Sequence, residues 1–170
     1  MTSGGAPVAS SHFNFSVLEP TGVVAAFAPE DSSLLGLVSV IAPVICGGNS
    51  IIAIASDSKP LCSITFAEVL NASDVPGGVV NIITGHEDEL HGHMSTHMDV
   101  NALIYTRDNV EILKTIQENA ALNVKRVVKW QGVNWAKDEG QSPYYIKDVT
   151  EVKTTWHPIE NIGGGAGAKY

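Results

Sequence analysis

Four histidines, His86, His91, His93 and His97, crowd one short segment and are interleaved with Glu87, Asp88 and Glu89. Imidazole and carboxylate groups are ligands that a transition metal takes. On a helix, Glu89, His93 and His97 recur every four residues and share one face. No cysteine ligand and no HExxH spacing accompanies them, so a solvated polar helix face accounts for the segment without a metal. The two thiols, Cys46 and Cys62, lie in apolar segments without CxxC spacing. They are expected to be buried and inert, in a reducing compartment. The glycine run from Gly163 to Gly167 has no helix after it, so it is not a phosphate loop.

Composition narrows the classes. The 170 residues suit one domain with a sizeable core, and 44% hydrophobic against 16% charged residues is a globular balance. A net charge of −8 opposes nonspecific nucleic-acid binding, and the densest basic group is only Lys125, Arg126 and Lys129. The apolar run from Leu34 to Ile45 is too short to span a bilayer and contains Pro43. The first residues lack the charged start and apolar core of a signal peptide. A cytoplasmic protein with no membrane or nucleic-acid partner is expected.

The elements that must position any site alternate regularly. Gly22 to Ala28 is an apolar run of small and β-branched residues, as in a strand buried on both faces. Asp31-Ser32-Ser33 offers caps for a helix ending near Cys46, where Gly47-Gly48 stops it. Ser50 to Ala55 is a second strand; Lys59-Pro60 opens a helix to about Ala72; Val79 to Ile83 is a third strand. A helix over Glu87 to His97, a strand over Ala102 to Tyr105, a helix over Asn109 to Ala121 capped by Asp108, and a strand over Val124 to Lys129 complete the series. Alternation with short loops predicts an α/β fold with a doubly wound parallel sheet, Rossmann-like in order. Beyond Trp130 comes an irregular crossing, then a strand-like run from Tyr144 to Trp156 whose charges place it at an edge.

Several motifs stand in order: Glu19-Pro20-Thr21-Gly22-Val23-Val24, Ile41-Ala42-Pro43, Gly47-Gly48-Asn49, Pro76-Gly77-Gly78-Val79-Val80-Asn81 and Thr84-Gly85. Together they resemble the nucleotide-binding half of the aldehyde dehydrogenase superfamily. The resemblance also marks departures. Where the family has Trp-Asn after the first-strand proline, the asparagine holding the oxyanion, this chain has Glu30-Asp31 after Pro29. The family's Lys-Pro-Ser-Glu, which reaches the adenosine ribose, is here Ile54-Ala55-Ser56-Asp57. Its Phe-Thr-Gly-Ser, near the pyrophosphate, is Tyr105-Thr106-Arg107-Asp108.

Tyr145 to Thr154 is similar to the family's C-terminal β-flap segment, and Phe13 to Glu19 to the flap strand before the nucleotide fold. Between Trp130 and Tyr144 the family inserts its catalytic domain; this chain has a short loop. That pattern is most similar to the noncatalytic C-terminal domain of two-domain family 16 aldehyde dehydrogenases. The expected organisation is a flexible N-terminus (1–12), a nucleotide fold with its flap strand (13–130), a crossing loop and C-terminal flap strand (131–158), and a flexible glycine-rich tail (159–170).

The resemblance implies a degenerate domain with a structural role, no catalytic residue, and no cofactor bound at the altered positions Asp31, Ile54, Asp57, Arg107 and Asp108. Its partner would be a catalytic aldehyde dehydrogenase domain or a second copy, met through flap residues Phe13, Phe15, Tyr145, Val149, Val152 and Trp156. The alternative is a component of an NAD-dependent enzyme whose thiol comes from another chain or domain.

Overall fold

The structure is a computed structural model, and it describes residues 12–158. The flexible termini expected at 1–12 and 159–170 lie outside the described residues, apart from the backbone of His12. The described chain divides into two units, one of 20–150 and one holding 12–19 with 151–158.

The larger unit is built on five parallel strands, β2 (Val23–Phe27), β3 (Ser50–Ile54), β4 (Val80–Ile83), β5 (Ala102–Tyr105) and β6 (Arg126–Lys129). Their order is β4-β3-β2-β5-β6, with Val24 beside Ile51 on one side and Ala102 on the other. The order reverses between β2 and β5, which is the switch point of a doubly wound sheet. Successive side chains of a strand point to opposite faces, so the central strands feed two cores. Val24, Ala26 and Ala28 meet Leu37, Val40 and Val44 of helix α1 (Leu35–Cys46), and Phe66 of helix α2 (Leu61–Asn71) packs at that core's margin. Ala25, Phe27, Leu103 and Tyr105 meet Ile112 and Ile116 of helix α4 (Val110–Ala121), and Leu90 of helix α3 (Glu87–Thr96) joins them. The continuous apolar runs of β2 and β5 reflect burial on both faces.

Two polar details fix the bottom of the sheet. Asn49, 2% exposed, accepts the Gly22 N–H at 2.8 Å and donates to the Val44 and Val149 carbonyls at 3.2 and 2.9 Å. Gly22 itself has a φ of +126°, and a Cβ there would strike the Asn101 side chain, so only glycine fits.

Several expectations are corrected. Capping hydrogen bonds come from Ser32, three residues before α1 begins, whose hydroxyl accepts the Gly36 N–H at 3.0 Å while the N-cap residue Leu34 has no side-chain cap, and from Asn109, which accepts from the Glu111 and Ile112 N–H groups at 3.2 Å. Asp31 and Asp108 each sit one residue ahead of these caps and lack that geometry. Cys46 and Cys62 are exposed, on the outward sides of the last turn of α1 and the first turn of α2.

Tyr144 to Trp156 is not one strand. Tyr144–Asp148 forms a short helix, α5, and strand β7 covers Thr150–Pro158. Trp130 and Trp135 leave an apolar surface that Tyr145 covers, its ring 4.5 Å from that of Trp130. Val149, which follows the last residue of α5, is fully buried in the same core. Arg126 secures the turn by donating to the Asp148 and Thr150 carbonyls. Tyr145 and Val149 thus belong to the nucleotide fold.

In the smaller unit β1 (His12–Pro20) pairs with β7 in a two-stranded sheet. Ser16 meets Thr154 at 2.8 Å, and Lys153 pairs with Glu19 at 3.2 Å. Phe13, Val17, Val152 and Trp156 are exposed there, while Phe15 is half-buried and stacks on His157.

Candidate functional site

The C-terminal ends of the strands around the switch point are where open α/β sheets hold their ligands. Four strand-following segments deliver one charged residue each to this place: Glu30 in the loop after β2, Asp57 in the loop after β3, Glu87 at the start of α3 after β4, and Arg107 in the loop after β5. The Arg107 side chain is only 5% exposed. Its Nε donates to the Ala28 carbonyl at 2.9 Å and its Nη2 to the Ala55 carbonyl at 2.7 Å. Nη2 also lies 3.2 Å from the Glu30 carboxylate, and Nη1 lies 3.4 Å from Asp57 and 3.5 Å from Glu87. The guanidinium sits beside the Phe27 ring, 5.9 Å from its centroid. All three guanidinium nitrogens are engaged, which uses the planar fork in a way that lysine could not reproduce.

The carboxylates are themselves held. Glu30 accepts the Asp57 N–H and the Ser56 hydroxyl, both at 2.8 Å, and the Ser58 hydroxyl and N–H at 3.0 and 3.3 Å. Burial pushes the Glu30 carboxyl up, but these donors and the Arg107 charge together outweigh it and hold it below the usual carboxylate range. Asp57 accepts the Glu87 N–H at 3.2 Å, at the start of α3, where the helix dipole favours a negative charge. Tyr105 lies beneath; burial, and then the Glu87 carboxylate, push its phenol above its ordinary range.

Beside the network opens a cavity of about 650 Å³, walled by Leu35, Trp130, Val133 and Trp135 and rimmed by Asp31 and Asp108. No cysteine lines it.

Among the altered positions, then, Asp57 and Arg107 meet directly, Asp31 and Asp108 edge the cavity, and Ile54 is fully buried among the packed core side chains. Glu30 and Glu87 were missed as partners. Their signal is nevertheless present: an arginine where a glycine is expected, in a loop over a buried sheet edge, demands counter-charges, and the β2, β3 and β4 loops each carry one. The histidine stripe does not assemble. His97 leaves the helix with φ −62° and ψ 124°, and its Nδ1 faces the Asp99 N–H at 3.2 Å. Among the described residues no three His, Cys, Asp or Glu side chains gather as metal ligands. No helix among them is long and apolar enough to cross a membrane.

Comparison with known proteins agrees with this architecture. Aldehyde dehydrogenase, cytosolic 1, of Elephantulus edwardii is 34% identical over 122 residues, which is 71% of this chain and 24% of that protein. The NADP/NAD-dependent aldehyde dehydrogenase PuuC of Escherichia coli is 32% identical over 111 residues, 65% of this chain and 22% of its own length. Indole-3-acetaldehyde dehydrogenase AldA of P. syringae, solved in complex with NAD+, superposes with a TM-score of 0.69 at 28% identity, covering 76% of this chain and 26% of that one. The chain thus spans about a quarter of the length of these relatives. The aldehyde dehydrogenase family profile matches residues 2–137, most of the sequence, and the chain belongs to that family.

Proposed function

We propose that this chain is a noncatalytic member of its family, a nucleotide fold kept for assembly after its cofactor site was filled. The observation that carries this reading is Arg107, buried at the switch point with its donors committed to Glu30, Asp57, Glu87 and two carbonyls. A dinucleotide would bring phosphates to a place where three carboxylates (Glu30, Asp57 and Glu87) already surround the one guanidinium and two more, Asp31 and Asp108, edge the adjoining cavity. Ile54, at the family's ribose-binding lysine, is a core residue.

Catalysis fares no better. Aldehyde oxidation needs a thiolate and oxyanion donors, yet neither Cys46 nor Cys62 lines the cavity and Asp31 would repel an oxyanion. The short loop between Trp130 and Tyr144 supports the reading of a chain whose catalytic domain is absent at that point, as in family 16. Its partner in the cytoplasm would be a catalytic aldehyde dehydrogenase domain or a second copy. The contact would run through the β1–β7 sheet, whose exposed Phe13, Val152 and Trp156 suit a covered surface.

The relatives, one of them solved with NAD+, support a second reading, in which this chain supplies the nucleotide fold for a thiol on another chain. Short-chain aldehydes and NAD+ given to the isolated chain decide against catalysis if no NADH forms. Turnover that disappears in Cys46→Ser or Cys62→Ser would overturn the noncatalytic reading. Light scattering on the wild type and on a Val152→Ser, Trp156→Ser double variant tests assembly, which the double variant should weaken.

A further inference from the structure

We propose that Arg107 is a tethered ligand, and that Glu30, Asp57 and Glu87, with the Ala28 and Ala55 carbonyls, form a guanidinium receptor that locks three strand-following loops together. This deepens the reading of the switch point as a filled nucleotide site and rests on it. The receptor is built from separate pieces of chain. Glu30 and Asp57 belong to the loops after β2 and β3, Glu87 opens α3 after the β4 loop, and the carbonyls are those of the residues just past β2 and β3. The carboxylates divide between the two ends of the fork: Glu30 meets Nη2, while Asp57 and Glu87 share Nη1.

Three carboxylates this close repel one another, so the loops hold this arrangement only around a cation. The cation must also be flat and carry donors in several directions, because two carbonyls and three carboxylates surround it in the same cage. The cross-links among the carboxylate loops point the same way. Glu30 grips the β3 loop through the Asp57 and Ser58 N–H groups, and Asp57 grips the start of α3 through the Glu87 N–H. One guanidinium therefore closes a ring of contacts that runs from β2 through β3 to β4. The arginine does for the unliganded chain what a bound ligand does for an open site: it orders the loops and excludes competitors.

Chemical rescue tests this directly. In the Arg107→Gly full-length chain, which carries the family's residue at that position, the cage loses its ligand. Added methylguanidinium should occupy it and raise the thermal midpoint. At a dissociation constant of about 1 mM, as expected for so small a ligand, about 20 mM raises the folding constant roughly twentyfold. Tetramethylammonium and sodium chloride at the same ionic strength should not, nor should urea, a neutral molecule of similar shape. The wild type, whose cage is full, should gain nothing from methylguanidinium.

Should Arg107→Gly be unfolded on its own, the readout becomes the fraction refolded from urea with and without each additive, which keeps the same contrast. Absence of rescue by methylguanidinium, or equal rescue by tetramethylammonium or sodium, would overturn the proposal. Nucleotide binding by the wild type, measured separately, would sink the filled-site reading while leaving the rescue result to stand or fall alone.

Discussion

Replacing Asn49 by alanine isolates one buried side chain that ties three parts of the fold together. Its carboxamide accepts the Gly22 N–H where β2 begins and donates to the Val44 carbonyl at the end of α1 and to the Val149 carbonyl after α5. Alanine leaves these groups unequally served. The Val44 carbonyl keeps the Asn49 backbone N–H, at 3.2 Å, and the Val149 carbonyl keeps the Thr21 N–H, at 3.4 Å. The Gly22 N–H keeps no acceptor that the structure shows, and a stranded donor costs about 1–3 kcal/mol. Each weakened carbonyl adds about 0.5 kcal/mol, so the variant should lose about 2–4 kcal/mol. With a urea dependence of about 2 kcal/mol per molar, the midpoint falls by about 1–2 M with the slope unchanged.

Asn49→Asp sharpens the test. One carboxylate oxygen can still accept from Gly22, but the other faces two carbonyls, so the isosteric change should cost at least as much as alanine at neutral pH and less in acid, once the carboxyl protonates. Urea unfolding by circular dichroism at neutral and acid pH measures both. A loss below about 1 kcal/mol for Asn49→Ala would refute the claim that this amide clamps α5 and β2 into one core.

Two further outcomes are expected. Val124 holds a φ of +57° with 92% of its surface exposed, so Val124→Gly should raise stability by about 1 kcal/mol in thermal unfolding, strain relief exceeding the entropy of glycine. The depressed Glu30 carboxyl contributes stability that is complete above its ordinary value of about 4.3 and is lost as pH falls through the lower folded value. Stability of Glu30→Gln, followed by urea unfolding between neutrality and pH 3, should therefore fall less steeply with acid than the wild type.

The sheet was readable because its signals are local. β2, β3 and β5 are apolar runs of the length a buried parallel strand needs, and Gly47-Gly48 and Lys59-Pro60 punctuate them. What failed depended on contacts distant in sequence. Tyr144–Asp148 carries charges and β-branched neighbours that suit a strand, yet Trp130 and Trp135 offer a surface that Tyr145 covers from a helical turn, and Val149 is buried just past that turn. The thiols misled for a similar reason: an apolar segment does not say which side of its helix faces out. At the site, Asp57 and Arg107 could be marked as departures from a family pattern, but their meeting with Glu30 and Glu87 requires the strand order β4-β3-β2-β5, which brings three loops to one arginine.

The central claim is that the switch point is filled by the chain's own arginine and no longer takes a nucleotide. Calorimetric titration of the wild-type chain with NAD+ tests it most directly. Lost ribose contacts at Ile54 and an approach blocked by Arg107 each cost about tenfold or more, so the account predicts no saturable heat below about 1 mM. A micromolar dissociation constant would contradict it, since the cofactor could then bind only by displacing the guanidinium from its three carboxylates.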